Sequence, residues 1–495
     1  MRLRDIAVYL GINPETVPDI RVKNLQYDSR TVQPEDIFIA LVGTNTDGHN
    51  YIESAVANGA VAVIAQEAPA GIAAHTPVLV VKDTREVISL LAELLHDFPD
   101  RKLKFLGVTG TNGKTTTTNL VRYLWNCRRI KCGLIGTICN YCGSRRLPAA
   151  ATTPEPVHLA ELLAMMVEEE CTHVVMEVSS HALKQKRVDA LHFDGATFTN
   201  LTQDHLDYHV TIEDYLDAKL QLFHMLDRDN KGSRFAVVNL DDPYAEAFCA
   251  ASHAELWTYA IDKPATLQAQ NYHLTGKGTA FDVIYQGKTY QAEIPLSGKF
   301  NVYNSLAALC AMLAQGFDLA ELLDDLRNVP QVPGRFEKVD GGQDFAVVVD
   351  YAHTPDGLEN VLKTARDIVQ GKLIVVFGCG GDRDRGKRPI MGRLAVELAD
   401  VAIVTSDNPR TEDPLSIISQ IEAGIAEAGA EYKNKYEVQA DRRLAIKRAI
   451  EMAQTGDVVL IAGKGHEDYQ LVNGRVLDFD DRKVAAECLA EIIKK

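Results

Sequence analysis

The most informative stretch of this chain for its fold is Leu103-Lys104-Phe105-Leu106-Gly107-Val108-Thr109-Gly110-Thr111-Asn112-Gly113-Lys114-Thr115-Thr116. Its apolar first half predicts a buried strand, and the glycines that follow let backbone N–H groups approach an anion. Lys114 can reach the terminal phosphates of a nucleotide, and the hydroxyl of Thr115 can hold magnesium. Residues 116–125 continue as a helix, so the sequence predicts an ATP-binding loop between a strand and a helix. Val108 stands where the common phosphate-loop pattern has its first glycine.

The flanking sequence alternates short apolar runs with helical stretches, which is typical of α/β domains with mainly parallel sheets. The pattern breaks at residues 98–102 and 329–334, and 495 residues fit three domains of about 150 residues each. We therefore expect three α/β domains, at residues 1–100, 101–332 and 333–495. Strands are predicted at 36–42, 61–65, 103–109, 173–178, 196–200, 235–239, 345–349, 373–377, 401–405 and 458–462, and a helix at 51–58.

The composition excludes several classes of protein. Apolar residues make up 46% of the chain and charged residues 24%, as in an ordinary globular protein. The net charge is -16 and no block of lysine and arginine occurs, so we do not expect a nucleic-acid partner. No apolar run is long enough to span a bilayer and no signal peptide is recognisable, so we expect a cytoplasmic protein without membrane insertion. The 9 cysteines lack paired zinc spacing and the density of a disulfide scaffold, and Cys139 and Cys142 are interpreted as a chance C-x-x-C pair.

Two places could supply further ligands for a magnesium ion on bound phosphates. Glu177 ends a predicted buried strand, where an unpaired carboxylate is costly, and it is the stronger candidate. The second place is the cluster Asp204-His205-Leu206-Asp207-Tyr208-His209, which lacks the glutamate of the zinc-protease motif H-E-x-x-H. Its histidines could also simply pack or cap. Gly463-Lys464-Gly465 has no following serine or threonine, so we do not interpret it as a second phosphate loop.

Several motifs taken together resemble the Mur ligase family. They are residues 110–116, 177–181 and 204–209, Asp350-Tyr351-Ala352-His353-Thr354-Pro355, Asp407-Asn408-Pro409-Arg410 and Asp28-Ser29-Arg30. The resemblance covers essentially the whole chain. It implies an ATP-dependent ligase that phosphorylates a substrate carboxylate to an acyl phosphate, which the amine of an amino acid then attacks. It also implies an N-terminal uridine-nucleotide-binding domain, a central P-loop ATPase domain and a C-terminal Rossmann-like domain.

The same resemblance implies the substrates. In the family, the sequence Asp-Asn-Pro-Arg marks the members that add meso-diaminopimelate to UDP-N-acetylmuramoyl-L-alanyl-D-glutamate in peptidoglycan precursor synthesis. Those two compounds are therefore the expected partners, with ATP and Mg²⁺ as cofactors. We expect the protein to act as a monomer.

The resemblance also implies a role for individual residues. The implied ATP-binding residues are Gly110, Thr111, Asn112, Gly113, Lys114, Thr115, Thr116, Asn301, Asn304, Arg335 and Asp350. The implied contacts of the UDP substrate are Ser29, Thr44, Asn45, Thr46, Thr152, Thr153, Ser179, Gln185 and Arg187, and Ala151 replaces an asparagine that is common in relatives. The implied metal ligands are Thr115, Glu177, His205 and a carbamylated Lys219, and the implied catalytic residues are Lys114, Lys219 and His205.

In the third domain, chemically distinctive residues follow successive predicted strands. The carboxyl ends of parallel strands share one edge of a sheet, so these loops should converge on one pocket. An arginine can hold a carboxylate through two hydrogen bonds, and a glutamate can hold an ammonium group. The distal end of meso-diaminopimelate carries both charges, whereas L-lysine has no distal carboxylate. His353 follows the first of these strands, and the resemblance implies that Arg383, Asp407, Asn408, Pro409, Arg410, Gly463 and Glu467 contact diaminopimelate.

Other functions stay open at this point. A lysine-adding muramyl ligase or a ligase similar to folylpolyglutamate synthetase would share the phosphate loop, but Asp407 to Arg410 argue against both. A nucleotide-driven switch or motor would leave the arginines and Glu467 of the third domain without a role.

Overall fold

The computed structural model describes residues 1–43, 46–69, 72, 75–228, 234–275 and 278–493. Its first part contains strands β1 (Leu25–Gln26), β2 (Ile37–Ile39), β3 (Ala62–Ala65) and β4 (Val78–Val80), with helices α1 (Leu3–Tyr9), α2 (Ile52–Ala57) and α3 (Thr84–Leu95). The strands form a 4-stranded sheet in the order β1-β2-β3-β4, and each neighbouring pair is parallel. Ile6 of α1 and Ile88 of α3 pack on this sheet in one apolar core.

The central part is built on an 11-stranded sheet. Its strands are β5 (Lys104–Thr109), β6 (Cys132–Ile135), β7 (Asn140–Cys142), β8 (Arg145–Leu147), β9 (His173–Glu177), β10 (Gly195–Phe198), β11 (Phe235–Asn239), β12 (Glu255–Ala260), β13 (Leu267–Thr275), β14 (Gly278–Tyr285) and β15 (Lys288–Ile294). Its helices are α4 (Lys114–Cys127), α5 (Pro156–Glu168), α6 (Ser180–Lys184), α7 (Leu206–His209), α8 (Ile212–His224), α9 (Ala245–Ala250), α10 (Lys299–Leu313) and α11 (Leu319–Leu326). The strand order is β15-β14-β13-β12-β11-β10-β5-β9-β6-β7-β8.

Strand β5 lies inside this sheet and delivers the chain to the phosphate loop. It pairs in parallel with β10 on one side and with β9 on the other. Gly107, in the middle of β5, leaves no space for a larger residue. A Cβ at this position would lie 2.9 Å from side-chain carbons of Leu222 and Phe193. Because Leu222 belongs to α8, this close approach holds α8 against the sheet and brings Lys219 of the same helix beneath the loop.

The C-terminal part is a third α/β unit. Its strands are β16 (Glu337–Lys338), β17 (Ala346–Asp350), β18 (Leu373–Phe377), β19 (Val401–Val404), β20 (Tyr436–Val438), β21 (Val458–Ala462), β22 (Tyr469–Val472) and β23 (Arg475–Asp478), and its helices are α12 (Pro355–Ile368), α13 (Lys387–Leu398), α14 (Pro414–Ala428), α15 (Arg442–Met452) and α16 (Asp481–Ile493). A 6-stranded sheet has the order β16-β17-β21-β18-β19-β20, and β22 and β23 form a separate 2-stranded sheet. The neighbouring strands β17, β21, β18, β19 and β20 all pair in parallel, so the loops that follow these strands lie at the same edge of the sheet.

The predicted α/β class with mainly parallel sheets is confirmed, and the structure adds elements that the sequence pattern did not indicate. Antiparallel pairing joins β13, β14 and β15 at one edge of the central sheet and β6, β7 and β8 at the other. The edge strand β20 and the hairpin β22–β23 were also not predicted. The predicted strand 36–42 and helix 51–58 are shorter in the structure, as β2 and α2. The domain boundaries near residues 100 and 333 stay predictions.

A fully buried ion pair joins helices α15 and α16 of the C-terminal part. The guanidinium of Arg442 donates from Nε to Asp481 Oδ1 at 2.8 Å and from Nη2 to Asp481 Oδ2 at 2.7 Å, and both side chains are 0% exposed. We expect Asp481→Asn to lower the free energy of unfolding by about 3–5 kcal/mol, because it leaves the buried guanidinium without its counter-charge. Denaturant unfolding followed by circular dichroism measures the change.

The neighbouring pair provides a matched control. Arg443 Nη1 lies 2.7 Å from Glu487 Oε2 between the same two helices, but the side chains are 52% and 56% exposed. Glu487→Gln should therefore change the free energy of unfolding by less than about 1 kcal/mol. An equal decrease in the free energy of unfolding of the two variants would contradict the prediction that the buried pair contributes more to stability than the exposed pair.

Candidate active site

The phosphate loop has a conformation that requires its glycines. Gly110 and Gly113 have φ values of 149° and 88°. A Cβ on Gly110 would lie 1.8 Å from Thr199 Oγ1, and a Cβ on Gly113 would lie 2.4 Å from Asn304 Oδ1. Asn304, a predicted ATP-binding residue from α10, is thus in direct contact with the start of α4. The helix begins at Lys114, so its N-terminal N–H groups face the cleft where an anion would bind.

Two lysines converge on one carbonyl of this loop. Lys114 Nζ and Lys219 Nζ each donate to the carbonyl oxygen of Gly110 at 2.8 Å, and Lys114 also donates to that of Thr111 at 2.8 Å. Lys219 is 1% exposed, and burial, together with the charge of Lys114, holds its pKa well below the usual lysine value. Burial also lowers the pKa of Lys114. Lys219 is therefore a buried amine with a reduced tendency to carry a proton.

Glu177 ends β9 directly beside the loop, as predicted. Its carboxylate accepts from Thr115 Oγ1 at 2.8 Å, from Thr137 N at 2.8 Å and from Thr137 Oγ1 at 3.0 Å. Gly136 leaves room for it, since a Cβ there would lie 2.4 Å from Glu177 Oε1. Hydroxyl and carboxylate oxygens are the ligands that Mg²⁺ prefers, so Thr115 and Glu177 fit the predicted magnesium site. The sequence did not single out Thr137.

His205 lies at the rim of the same cleft. Its side chain is 41% exposed, and its Nε2 is 3.3 Å from Asp204 Oδ2. The ring centroid is 4.7 Å from that of His181, in an edge-to-face arrangement. The backbone of His205 is left-handed with φ of 55°, at the start of α7. The structure thus brings His205 to the cleft, and its predicted roles in catalysis and metal binding stay predictions.

The cleft between the central and C-terminal parts has a volume of about 430 Å³. Arg335 enters it from the connecting segment and donates from Nη2 to Thr115 Oγ1 at 3.0 Å. Asp356 of α12 accepts from Asn112 Nδ2 at 2.7 Å and from Thr202 Oγ1 at 3.3 Å, which joins the phosphate loop directly to the C-terminal part. The sequence did not indicate Asp356, because its partners are distant along the chain.

Two further residues predicted to bind ATP lie around this cleft. Burial raises the pKa of Asp350 to about 6 against the opposing effect of Arg335, and its carboxylate accepts from the N–H groups of Phe336 and Ala352 at 2.7 Å each. Asn301 is buried and donates to the carbonyl of Ser297 at 2.9 Å, while its Oδ1 accepts from Asn304 Nδ2 at 3.3 Å. Asn301 therefore supports the residue that contacts the loop.

The residues predicted to hold the peptide and sugar of the UDP substrate form one hydrogen-bonded surface. Thr137 Oγ1 and Thr152 Oγ1 are within hydrogen-bond distance at 3.0 Å, and Thr153 Oγ1 accepts from the N–H of Ser179 at 3.0 Å. Arg187 donates from Nη2 to Gln185 Oε1 at 2.7 Å. This surface leads directly from Glu177 toward the N-terminal part.

Glu155 is a further residue beside this surface that the sequence did not indicate. Arg187 Nη2 lies 2.8 Å from Glu155 Oε1, and Arg85 Nη1 of α3 lies 3.3 Å from Glu155 Oε2. The carboxylate therefore connects the substrate surface to the N-terminal part. In that part, Ser29 is buried and its carbonyl accepts from Asn58 Nδ2 at 2.8 Å, and the carbonyl of Thr46 accepts from the N–H of Gly43 at 2.9 Å. The predicted contacts Thr44 and Asn45 lie outside the described residues.

The C-terminal pocket residues come together as the strand order requires. Asp407, Asn408, Pro409 and Arg410 follow β19, and Gly463 and Glu467 follow β21. Asn408 Nδ2 donates to Glu467 Oε2 at 2.8 Å. Gly463 has φ of 120°, and a Cβ there would lie 2.4 Å from Asp407 Oδ2.

The side chains of Arg410 and Arg383 both lie close to Gly380. Arg410 has a left-handed backbone with φ of 52° and donates from Nη1 to the carbonyl of Gly381 at 2.8 Å. A Cβ on Gly380 would lie 2.9 Å from Arg410 Nη1 and 3.9 Å from Arg383 Cγ. Arg383 is exposed, while the nearby Arg388 is fully buried and pairs with Glu412 at 2.8 Å. Arg388 thus has a structural role.

Family models match all three parts of the chain. A model of the Mur ligase family catalytic domain matches residues 21–96, the Mur ligase middle domain matches 108–312, and the Mur ligase glutamate ligase domain matches 334–465. The chain belongs to the Mur ligase family. It is accordingly an ATP-dependent ligase. The phosphate loop had predicted the use of ATP, and the resemblance had implied the ligase activity.

Individual Mur ligases align along the whole chain. It is 45% identical over 495 residues to a UDP-N-acetylmuramoyl-L-alanyl-D-glutamate–2,6-diaminopimelate ligase of Syntrophomonas wolfei, covering 100% of both chains. It is 47% identical to the ligase of the same name from Geobacillus thermodenitrificans, over 99% of this chain and 98% of that one. A solved structure of a ligase with this name is 36% identical, with a TM-score of 0.66 and 95% coverage of each chain.

In the part of this Mur ligase that the structure describes, no helix has both the length and the apolar character that crossing a bilayer requires.

Proposed function

We propose that this Mur ligase joins meso-diaminopimelate to the D-glutamate of UDP-N-acetylmuramoyl-L-alanyl-D-glutamate. The proposal rests on one observation. The chain combines a phosphate loop in its central part with a group of positively and negatively charged side chains at one edge of the C-terminal sheet. Arg410 and Glu467 suit a ligand end that has a carboxylate and an ammonium group. The names of relatives 45% and 47% identical to the chain support the same substrates.

The reaction divides into two transfers. An oxygen of the acceptor carboxylate attacks the γ-phosphorus of ATP, and ADP leaves with the electron pair of the broken P–O bond. The amine of diaminopimelate then attacks the carbonyl carbon of the acyl phosphate. Phosphate leaves with the former carboxylate oxygen, and the amine loses a proton as the amide forms.

Lys114 and the N-terminus of α4 would stabilise the negative charge that develops on the transferred phosphoryl group. Thr115 and Glu177 would hold Mg²⁺, which neutralises phosphate charge and orients the oxygens. Arg335 reaches Thr115 from the C-terminal side, so it is placed to contact the same phosphates when the cleft is closed. Closure excludes water, which would otherwise hydrolyse the acyl phosphate.

Lys219 suits carbamylation because its environment favours the neutral amine. The amine adds to the carbon of CO₂ and releases one proton, which gives a carbamate with a negative charge. Such a group removes the repulsion between the ammonium groups of Lys219 and Lys114 beneath the loop. Its oxygens would add to the magnesium ligands that Thr115 and Glu177 provide.

An amino-acid panel tests the proposed substrates. ADP and phosphate release is measured with ATP and Mg²⁺, with or without the UDP-muramyl dipeptide, in the presence of meso-diaminopimelate, L-lysine or no amino acid. We expect turnover that depends on the dipeptide and on diaminopimelate. Preferred use of lysine would support the lysine-adding function instead. Equal turnover in the absence of both the dipeptide and an amino acid would rule out a ligase function.

The guanidinium of Arg410 gives a prediction for the amino-acid pocket. Arg410→Lys should raise the KM for diaminopimelate by about tenfold with little change in kcat, because an ammonium group cannot form two parallel hydrogen bonds with a carboxylate. Steady-state kinetics at saturating ATP measures both constants. Arg443→Lys, on the exposed face of α15, is the matched control, and an unchanged KM in Arg410→Lys would place the carboxylate elsewhere.

A further inference from the structure

Lys464 is a buried lysine in direct contact with residues of the proposed amino-acid pocket. Its side chain is 0% exposed. Its Nζ donates to Glu467 Oε2 at 3.1 Å and to Asn408 Oδ1 at 3.2 Å, and it lies 5.5 Å from the centre of the Tyr469 ring. A lysine that is fully buried is rare unless its charge is paired, and here the partner is the carboxylate expected to receive the ligand.

The contacts of Lys464 also fix the orientation of Asn408. Asn408 Oδ1 accepts from Lys464 Nζ and, at 2.9 Å, from the N–H of Leu471, while its Nδ2 donates to Glu467 Oε2. The opposite orientation of the amide would place its NH₂ group against two donors and its oxygen against a carboxylate. Lys464, Asn408 and Glu467 therefore form one hydrogen-bonded unit.

The charges around Glu467 determine what this unit can bind. Burial and the charge of Asp407 raise the pKa of Glu467, and Lys464 and Asn408 oppose that rise. Lys464 thus favours the carboxylate form of Glu467 and already supplies it with a positive partner. A second cation that enters beside Glu467 must share this carboxylate and is repelled by Lys464 unless it brings a negative charge of its own.

We propose that Lys464 is a positioning residue that makes the pocket select amino acids whose distal end carries a carboxylate, whether or not an ammonium group accompanies it. This inference rests on the proposed function. In this arrangement, the distal carboxylate is held by Arg410, and Lys464 satisfies Glu467 when the ligand brings no ammonium group. A lone distal ammonium, as in lysine, meets Lys464 without compensation.

Ligand analogues test this in the wild-type protein. L-2-aminopimelate keeps the distal carboxylate of diaminopimelate and lacks the distal amine, while L-lysine has the reverse composition. We expect kcat/KM for aminopimelate to be less than about tenfold below that for diaminopimelate. The kcat/KM for lysine should be lower by a much larger factor, because lysine leaves the charged donor Arg410 without its carboxylate acceptor, which is costly. Aminopimelate used no better than lysine would overturn the proposal.

Lys464→Gln separates positioning from general support of the fold. Glutamine keeps a hydrogen-bond donor and removes the charge, so the ratio of kcat/KM for lysine to that for aminopimelate should rise by at least about tenfold. A merely structural role would lower both values and leave their ratio unchanged, and that result would overturn the proposal. If Lys464→Gln does not fold, the wild-type panel decides. Lys447→Gln is the control, since Lys447 pairs with Glu491 at 2.8 Å on an exposed helix face and should leave the ratio unchanged.

The two proposals can fail separately. A wild-type protein without turnover on diaminopimelate contradicts the proposed function itself. A wild-type protein that uses diaminopimelate, with an unchanged ratio in a folded Lys464→Gln variant, contradicts only the role of Lys464.

Discussion

Replacing Lys114 with methionine is expected to lower kcat by about 100- to 1,000-fold, since a charge fixed in a site that excludes water stabilises a developing anion strongly. Lys114 is the first residue of α4, and its Nζ lies within the phosphate loop, 2.8 Å from the carbonyls of Gly110 and Thr111. These carbonyls hold it in place before the nucleotide arrives. Methionine retains most of the apolar length of the side chain, so the variant removes the charge with little loss of packing.

Lys104→Met is the matched control for this variant. Lys104 begins strand β5, at the end away from the phosphate loop, and it is an exposed residue whose Nζ lies 3.5 Å from Asp194 Oδ1. The release of ADP and phosphate at saturating substrates compares the two variants, and their thermal unfolding shows whether both are folded. A Lys114→Met protein that is folded and retains a wild-type kcat would contradict the assignment of the phosphate loop.

Replacing Lys219 with alanine is expected to lower kcat by about 100-fold. A short carboxylate such as acetate should restore part of the activity, because the proposed carbamate would act as an anion at the proposed metal site. The basis is the burial of this lysine beside a second lysine on the same carbonyl. Removing CO₂ and bicarbonate from the assay should lower the activity of the wild-type protein in the same direction.

Lys219→Arg distinguishes the carbamate from a cation. Arginine retains a positive charge and does not form a carbamate, so this variant should be as inactive as Lys219→Ala and should not respond to added bicarbonate. Intact-mass analysis of the wild-type protein under mild conditions should show the added CO₂. An active Lys219→Arg protein, or no rescue of Lys219→Ala by carboxylates, would show that the ammonium form is the functional one.

Local sequence patterns predicted the parts of the site that depend on nearby residues. The strand, glycine loop and helix around residues 103–116 are contiguous, so hydrophobicity and spacing were enough to predict β5, the loop and α4. The same holds for Glu177 at the end of β9. The convergence of the loops after the parallel strands of the C-terminal part could also be foreseen, because the carboxyl ends of parallel strands share an edge.

Contacts between distant residues could not be read from the sequence. Asp356 joins the phosphate loop through Asn112, and Glu155 joins Arg85 to Arg187, but no spacing links these positions along the chain. The sequence around Lys464 indicates only an incomplete phosphate-loop pattern, and the position of Lys464 beside Asn408 and Glu467 depends on how two loops pack. The edge strand β20 is short and mostly exposed, so it has little hydrophobic pattern.

Transfer of oxygen-18 from the substrate to phosphate shows whether this Mur ligase activates a carboxylate by phosphorylating it. The UDP-muramyl dipeptide is prepared with oxygen-18 in the acceptor carboxylate of its D-glutamate, and the phosphate released during turnover with ATP and diaminopimelate is analysed by mass spectrometry. The acyl phosphate route predicts that each released phosphate carries a single heavy oxygen from that carboxylate, while the other stays in the new amide. Unlabelled phosphate released in step with amide formation would contradict it.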